Sequence, residues 1–371
     1  MKLKIIIKIF IYKLVYIFRS FLNISNEKIL YLFLNELRKS SLDNNSSELL
    51  TEFKIYPKKP KRIFPVNSET KNTTIIIQGP ANDRDFIQSS INWYKDCGVK
   101  NLIFSTTEKI TPFKNCKNII DDKICVKGIW NENNQLKTIK NALNTIDDDA
   151  LVIKTRSDQR IYNELALTGI DLIHNSYKSE NTFDGSRLGI ISNNSTIMKI
   201  NNISDHFYVG NAKLLKKMFN ISFREKDIFL KSIDLDEKNI CEIRDKLKSS
   251  FYTELEAEQW FFNSFRKNCH KKNFEEETLI NSTTYVDKLS NYLDLLKDSI
   301  YVIDPEDLDL YWTKDTINTL PSFYHNNKQN FKTVDCIRLT RLNWLCLLND
   351  DEYKEKILTF AESLNSDHFL Y

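Results

Sequence analysis

A short apolar run that breaks abruptly into a cluster of charges constrains this chain more than any other stretch. Residues 151–153 are apolar and are followed at once by Lys154, Arg156, Asp158 and Arg160. The run has the length and composition of a buried strand and contains neither glycine nor proline. If the strand continues past residue 153, the alternation of side chains places Lys154, Arg156 and Asp158 on one side.

The position of these charges suggests a ligand site. Ligands of α/β proteins gather beyond the carboxyl ends of the strands. A carboxylate flanked by two guanidinium groups at such a position is suited to binding a diphosphate, either alone or together with a metal ion. The alternative is a solvated surface turn in which opposite charges neutralise one another.

The composition excludes several classes of function. With only 7 glycines in 371 residues, the chain has neither a G-x-G-x-x-G motif nor a glycine-rich phosphate loop, so a nucleotide must be held by other means. A net charge of +3 gives no support to a nucleic-acid partner, and we expect none. The seven cysteines include no C-x-x-C pair, which indicates free thiols in a reducing compartment rather than structural zinc.

Residues 1–24 predict an amphipathic helix that lies on a membrane surface. The apolar residues fall on one half of a helical wheel and Lys4, Lys8 and Arg19 on the other, and no acid precedes Glu27. This pattern is typical of a helix whose cations face anionic lipid, so we expect a cytoplasmic protein bound peripherally to the inner face of the cytoplasmic membrane. The alternatives are a secretory signal, for which no small-residue cleavage site follows, and a helix packed on the protein's own core.

The rest of the chain predicts a connector, a catalytic domain and an extension. Residues 25–72 are the connector, residues 73–330 the domain and residues 331–371 a helical C-terminal extension that includes a helix at 334–348. Alternating strands and helices predict an α/β domain with a mainly parallel sheet flanked by helices. The predicted strands are residues 74–78, 101–105, 119–126, 150–155 and 187–192, and the main helices are residues 85–97, 134–146, 212–219 and a segment from 253 onward.

Six short motifs follow one another along residues 73–265. They are Ile-Gln-Gly-Pro at 77–80, Phe-Ser-Thr at 104–106, Asn-Glu-Asn-Asn-Gln-Leu at 131–136, Lys-Thr-Arg-Ser-Asp at 154–158, Ser-Asp-His-Phe-Tyr-Val-Gly at 204–210 and Glu-Ala-Glu-Gln-Trp at 256–260. Their order resembles the WavE lipopolysaccharide synthesis family, whose members are similar to nucleotide-sugar transferases of the GT-A type. The resemblance implies a GT-A-like, nucleotide-binding sheet and transfer of a sugar from a nucleotide-sugar donor.

The resemblance also implies where the donor is bound. Gln78, Gly79 and Pro80 would shape the turn that faces the base or ribose of the nucleotide. Asn133 and Gln135 would line the same cleft from the start of a helix, whose amino-terminal amides favour a phosphate.

The acids of the later motifs imply the reacting centre. Asp158 would bind the metal–diphosphate, Asp205 and His206 would lie on the acceptor side, and Glu258 or Glu256 would lie near the sugar. An inverting transfer needs a general base, for which Glu258, Glu256 and Asp205 are the candidates. The alternatives are helix-surface charges for the glutamates, and a hydrogen-bonded turn or a core imidazole for Asp205 and His206.

One departure from the family pattern concerns the cofactor. GT-A enzymes usually carry an Asp-x-Asp pair, but this chain has Arg156 and Asp158 at the corresponding positions. A single carboxylate binds Mn²⁺ or Mg²⁺ less securely than two, which leaves metal dependence open. Arg156 or Arg160, with Lys154 beside them, would then neutralise part of the charge on the diphosphate, and Asp158 would hold an arginine or the ribose.

These observations predict a membrane-associated glycosyltransferase that acts on a lipid-linked or glycan acceptor, an intermediate of lipopolysaccharide, O-antigen or capsule. One alternative is a nucleotidyl or phosphoglycerol transferase on the same fold. Another is a non-catalytic scaffold of polysaccharide assembly. The sequence leaves open the donor sugar, the acceptor, the stereochemical outcome and the oligomeric state.

Overall fold

A computed structural model describes most of the chain from residue 73 onward. Residues 1–72 and Glu256 lie outside it, so the predicted membrane-surface helix, the connector and one candidate base are not described. The described residues are 73–126, 131–192, 195, 197, 200–224, 257–271, 285–312 and 339–363.

Nine strands are described, and most of them run parallel. They are β1 (Thr73–Gln78), β2 (Asn101–Thr106), β3 (Lys117–Ile120), β4 (Leu151–Arg156), β5 (Gln159–Ile161), β6 (Leu188–Ile191), β7 (Tyr208–Asn211), β8 (Ile300–Ile303) and β9 (Leu310–Trp312). Seven form one sheet in the order β3-β2-β1-β4-β7-β6-β8, in which β7 runs antiparallel to both of its neighbours. The other two, β5 and β9, pair as a separate antiparallel sheet.

Eight helices are described, and they flank the main sheet. Their bounds are α1 (Arg84–Asp96), α2 (Glu132–Leu143), α3 (Glu164–Ser176), α4 (Ala212–Met218), α5 (Ala257–Cys269), α6 (Tyr285–Ser299), α7 (Arg341–Asn349) and α8 (Asp351–Ser363). The prediction of an α/β fold with a mainly parallel sheet flanked by helices is therefore confirmed. None of the described helices is both long enough and apolar enough to cross a lipid bilayer.

The predicted helix at 85–97 illustrates how the local sequence sets an element. Asp83 caps α1 by accepting a hydrogen bond from the backbone N–H of Phe86 at 2.9 Å. The apolar face buries Ile87 and Ile91 against the sheet. Gly98, with a φ of +87°, follows the last turn and allows the chain to reverse.

Other predicted elements differ from the structure at their ends. β3 covers residues 117–120 rather than 119–126, because its partner β2 ends at Thr106, which pairs with Ile120. Of the predicted helix at 334–348, residues 334–338 lie outside the described part of the chain. The described helix begins at Arg341, where the side chain of Thr340 caps it by accepting from the N–H of Asn343. The strands β5, β7, β8 and β9 and the helices α3 and α6 were not predicted.

The chain reverses its path across the sheet between β1 and β4. From β1 it proceeds outward to β2 and β3, and it then returns to β4 on the other side of β1. Such a switch point opens a crevice at the carboxyl ends of the two strands, where α/β proteins bind their ligands. The Gln-Gly-Pro turn after β1 and the charged turn after β4 both lie at this edge.

Hydrogen bonds hold these two turns in close contact. The N–H of Ser157 donates to the carbonyl of Gln78 at 2.8 Å, and Ser157 Oγ donates to the carbonyl of Pro80 at 2.7 Å. Gly79 has a φ of +138°, and a Cβ at this residue would lie 2.5 Å from Ser157 Oγ. Glycine is therefore required here for both backbone conformation and space.

Gly79→Ala should lower the free energy of unfolding by about 1–3 kcal/mol, because the new methyl group is strained by the backbone and meets Ser157. Urea denaturation measures the change. The matched control is Gly169→Ala in α3, where nothing lies within 4 Å of an added Cβ. That variant should be neutral or more stable by up to about 1 kcal/mol. Equal effects of the two substitutions would contradict the requirement for glycine at residue 79.

Candidate functional site

Arg156 and Asp158 form a bidentate ion pair at the carboxyl end of β4. Arg156 Nε donates to Asp158 Oδ1 at 3.0 Å, and Nη2 donates to Oδ2 at 3.2 Å. The two side chains remain 23% and 15% exposed, so the pair borders solvent. The strand ends at Arg156, and a turn rather than further strand brings Asp158 back to the guanidinium.

The loop before β7 brings Asp205 and His206 to the same place. Asp205 Oδ1 lies 3.9 Å from Arg156 Nη1 and 3.7 Å from His206 Nε2, and both residues are buried. Burial lowers the pKa of His206 to about 4, so its imidazole is neutral at pH 7. Burial alone would raise the pKa of Asp205, but the positive charges of Lys154 and Arg156 hold it below its usual value. Asp205 is therefore ionised at neutral pH.

Lys154 supports this cluster from inside the protein. Its Nζ donates to the carbonyl oxygen of Asp205 and lies 5.6 Å from the centre of the Tyr208 ring. Burial lowers the pKa of Lys154 to about 8, although Asp205 opposes that shift. Lys154 therefore holds the backbone of Asp205 in position and remains largely protonated at neutral pH.

The first turn of α5 brings Glu258 close enough to act on the cluster electrostatically. Burial is the largest influence on the pKa values of Lys154, Arg156 and Tyr208. The charge of Glu258 makes a smaller contribution that raises the pKa of each of the three groups. Glu258 is half-buried. Four of the predicted acids and bases, Asp158, Asp205, His206 and Glu258, are thus brought together.

The turn after β1 borders the site through its backbone, whereas the side chain of Gln78 faces α2. Gln78 Nε2 donates to the carbonyl of Gln135 at 2.5 Å and to Thr138 Oγ1 at 2.7 Å. These bonds fasten the end of β1 to the helix. Gly79 and Pro80 lie beside Ser157 at the switch point.

The chain itself occupies the amino end of α2. Asn133 Nδ2 donates to the carbonyls of Val126 and Arg224, and Asn133 Oδ1 accepts from the N–H of Arg224. The buried carboxylate of Glu132 pairs with Arg224 at 3.1 Å and already uses the favourable potential of the helix terminus. This geometry gives no support to the predicted donor-binding roles of Asn133 and Gln135.

Arg160 lies in a different cluster from Arg156. Its three nitrogens donate to Ser90 Oγ, the Tyr162 hydroxyl and the carbonyl of Phe86 at 2.8–2.9 Å. Its guanidinium also packs 4.5 Å from the ring of Phe86. Arg160 therefore joins β5 to α1, and its predicted role in donor binding is not supported by this placement.

Residues that the motifs did not indicate also border the site. The Trp312 ring packs edge-on against His206 with centroids 4.6 Å apart and lies 5.9 Å from the Arg156 guanidinium. Gln159 pairs with Trp312 in the two-stranded sheet. The dipeptide Tyr311-Trp312 is conspicuous in the sequence, but only the pairing of β9 with β5 brings it here.

A resident Mn²⁺ or Mg²⁺ does not fit the described carboxylates. Both oxygens of Asp158 accept from Arg156, and Asp205 is balanced by Lys154 and Arg156. The described residues contain no group of three or more His, Cys, Asp or Glu arranged to hold a metal. Hard divalent cations need several oxygen ligands, whereas Asp158 and Asp205 already neutralise cations of the protein.

A cavity of about 820 Å³ opens at the opposite edge of the sheet, at the amino ends of the strands. Its lining includes Lys95, Lys100, Lys117, Asp147 and Asp149. These charges almost balance, and the residues of the Arg156 cluster take no part in it. The carboxyl edge is the better candidate because the switch point and the converging charges coincide there.

A comparison of the chain with models of known protein families finds no match, and a comparison with curated proteins finds no relative. The similarity to the WavE family therefore stays a prediction. The geometry of the site and the order of the motifs together carry the functional proposal.

The buried histidines predict a loss of stability in acid. The pKa of His206 and that of His174 are each lowered by burial from 6.5 to about 4. Between these values the unfolded chain binds more protons than the folded one, so the free energy of unfolding is highest above pH 6.5 and falls as the pH drops towards 4. Urea denaturation from pH 7.5 to 4.5 measures this decline.

His206→Gln should make the decline shallower, because glutamine binds no proton in this range. His174→Gln should do the same independently, and the double variant should be shallower than either. Identical slopes for the parent chain and all three variants would contradict the burial of neutral imidazoles.

Proposed function

We propose that this protein is a GT-A-like glycosyltransferase that moves a sugar from a nucleotide-sugar donor to an intermediate of a surface polysaccharide. The observation that carries the proposal is the convergence of Arg156, Asp158, Asp205 and Glu258 beside the switch point. Phosphorylated ligands of α/β sheets bind at this edge. The order of the six motifs, which resembles the WavE family, supports the same function.

Arg156 is the group that meets the diphosphate. Its Nε and Nη2 hold Asp158, but Nη1 lies 3.9 Å from Asp205 and donates no hydrogen bond within the described part of the chain. Nη1 is therefore available to a phosphate oxygen. A departing nucleoside diphosphate needs positive charge nearby. Arg156 supplies it by direct contact, and the buried Lys154 adds to the positive potential at the site.

Glu258 is the better candidate for the general base. Asp205 lies among three positively charged or donor groups that hold its pKa below the usual value, and a carboxylate of low pKa is a weak proton acceptor. Glu258 approaches the same cluster from α5 and is half-buried. In this mechanism Glu258 removes the proton of the acceptor hydroxyl, while Asp205 orients Arg156 and His206.

The acceptor is a lipid-linked or glycan intermediate of lipopolysaccharide, O-antigen or capsule. The amphipathic pattern of residues 1–24 supports a peripheral position on the inner face of the cytoplasmic membrane, because enzyme and lipid-linked acceptor would then share one surface.

Product analysis separates this function from the alternatives. A glycosyltransferase releases a nucleoside diphosphate, or a monophosphate if the donor is a nucleoside-monophosphate sugar, together with the glycosylated acceptor. Nucleotidyl transfer instead leaves the nucleotide on the acceptor, and phosphoglycerol transfer leaves a phosphodiester. If no nucleotide sugar or nucleoside diphosphate binds, the scaffold hypothesis is favoured.

Arg156→Met should weaken the binding of nucleoside diphosphates roughly tenfold or more, because it removes a charged hydrogen-bond donor. Isothermal titration with uridine, guanosine and cytidine diphosphates measures the affinity. The control is Lys216→Met, which removes an ion pair of 2.6 Å with Asp148 at the amino end of β4. It should leave the affinity unchanged, and equal affinities of the two variants would count against Arg156.

Glu258→Gln should lower kcat about a hundredfold or more while the KM of the donor stays nearly constant, as expected for loss of a general base. Steady-state kinetics of sugar transfer distinguish the two parameters. Glu164→Gln is the matched control, because Glu164 occupies the first turn of α3 as Glu258 occupies that of α5. A parallel fall in kcat and in donor affinity would instead indicate a structural role for Glu258.

A further inference from the structure

Several buried polar atoms next to the Arg156–Asp158 pair have no hydrogen-bond partner among the described residues. Gln159 Nε2 and Oε1, Trp312 Nε1, His206 Nδ1 and Asp205 Oδ1 form no hydrogen bond with any part of the chain that the structure describes, although each atom is shielded from solvent. Buried polar groups of folded proteins are nearly always paired, because an unpaired one costs stability. A group of such atoms in one place offers donors and acceptors to a bound molecule.

These atoms belong to a single cluster. Gln159 lies directly opposite Trp312 in the pairing of β5 with β9, so both side chains project from the same face of that sheet. The ring of His206 packs against Trp312 at 4.6 Å, and Asp205 Oδ1 lies 3.7 Å from His206 Nε2. The cluster adjoins the diphosphate-binding position, since Trp312 lies 5.9 Å from the Arg156 guanidinium.

Two other tryptophans of the described residues, Trp93 and Trp344, satisfy their indole nitrogens internally. Trp93 Nε1 donates to the carbonyl of Ile161 at 2.8 Å, and Trp344 Nε1 donates to that of Leu296 at 3.1 Å. The fold thus provides acceptors for buried indoles elsewhere. The unpaired nitrogen of Trp312 is a local property of this cluster.

We infer that Gln159 and Trp312, with His206 and Asp205, form a subsite that binds the hydroxyl groups of a monosaccharide ring. The amide both donates and accepts, the indole donates, and the carboxylate accepts, which matches hydroxyls that do both. The inference rests on the proposed function. In that function Arg156 binds the diphosphate, and the subsite adds the residues that bind the sugar ring.

The ring bound here belongs either to the donor or to the acceptor, and two kinds of measurement separate these sources. If it is the donor sugar, loss of the subsite weakens binding of the nucleotide sugar but not of the corresponding nucleoside diphosphate. If it is the acceptor sugar, binding and hydrolysis of the nucleotide sugar stay constant and the KM of the acceptor rises.

The test uses Gln159→Leu and Trp312→Phe in the full chain. Both substitutions remove unpaired polar atoms and largely keep the size of the side chain, so the melting temperature should stay unchanged or rise. Trp93→Phe is the matched control that removes a partnered indole N–H, and it should lower the melting temperature. Gln88→Leu is the control for glutamine, since Gln88 lies outside the cluster and bonds Asn92 and the backbone of Lys114 at the surface.

Isothermal titration with UDP-glucose, UDP-N-acetylglucosamine, GDP-mannose, UDP and GDP measures the affinity for the donor and for its nucleoside diphosphate. The rate of sugar transfer to a panel of methyl glycosides gives the KM of the acceptor. For a probe that the parent chain uses, each of the two variants should lose about tenfold in affinity or raise the acceptor KM about tenfold, with nucleoside diphosphate binding unchanged. Variants that match the parent chain with every probe would overturn the subsite while leaving the proposed function intact.

Failure of the proposed function gives a different result. If the parent chain binds none of the nucleotides, that function falls, and retention on immobilised monosaccharides then tests the subsite directly. Retention of the parent chain but not of the variants would support it, and equal behaviour of parent and variants would overturn it.

Discussion

The balance of charge at the end of β4 is the constraint on which the rest of the site depends. Two cations, Lys154 and Arg156, lie beside two acids, Asp158 and Asp205. Lys154 and Asp205 are buried. A buried charge is tolerated only when it is paired and hydrogen-bonded. The four charges therefore compensate one another, and the half-buried Arg156–Asp158 pair borders solvent, where an anionic molecule can reach it.

A reversed strand supplies the second half of this cluster. β7 runs antiparallel to β4 and pairs Tyr208 with Lys154, so the residues before β7 lie beside the carboxyl end of β4. Had β7 run parallel, Asp205 and His206 would lie at the opposite edge of the sheet. Together with the tight contact between Gly79 and Ser157, this reversal concentrates polar groups at the switch point.

Much of the fold was predictable because its signals are local. The strands β1, β2 and β4 and the helices α1 and α2 are read from apolar periodicity and end signals within a dozen residues, and all five are observed. The site was only partly predictable. The charges after β4 were evident, whereas Arg160 and Asn133 turned out to serve internal contacts, because nothing local tells a ligand-facing donor from one that meets a backbone carbonyl.

The sequence by itself determined the alternation of strands and helices, the break from apolar to charged residues at 153–154, and the chemical types present in each motif. Tertiary structure alone decided which of those groups meet. Trp312 reaches Gln159 through strand pairing across a long stretch of chain, and the charge of Glu258 acts on Arg156 from a separate helix. The physical reason is that periodicity reports only whether a residue faces the core, whereas the partners of a buried charge are set by topology and packing.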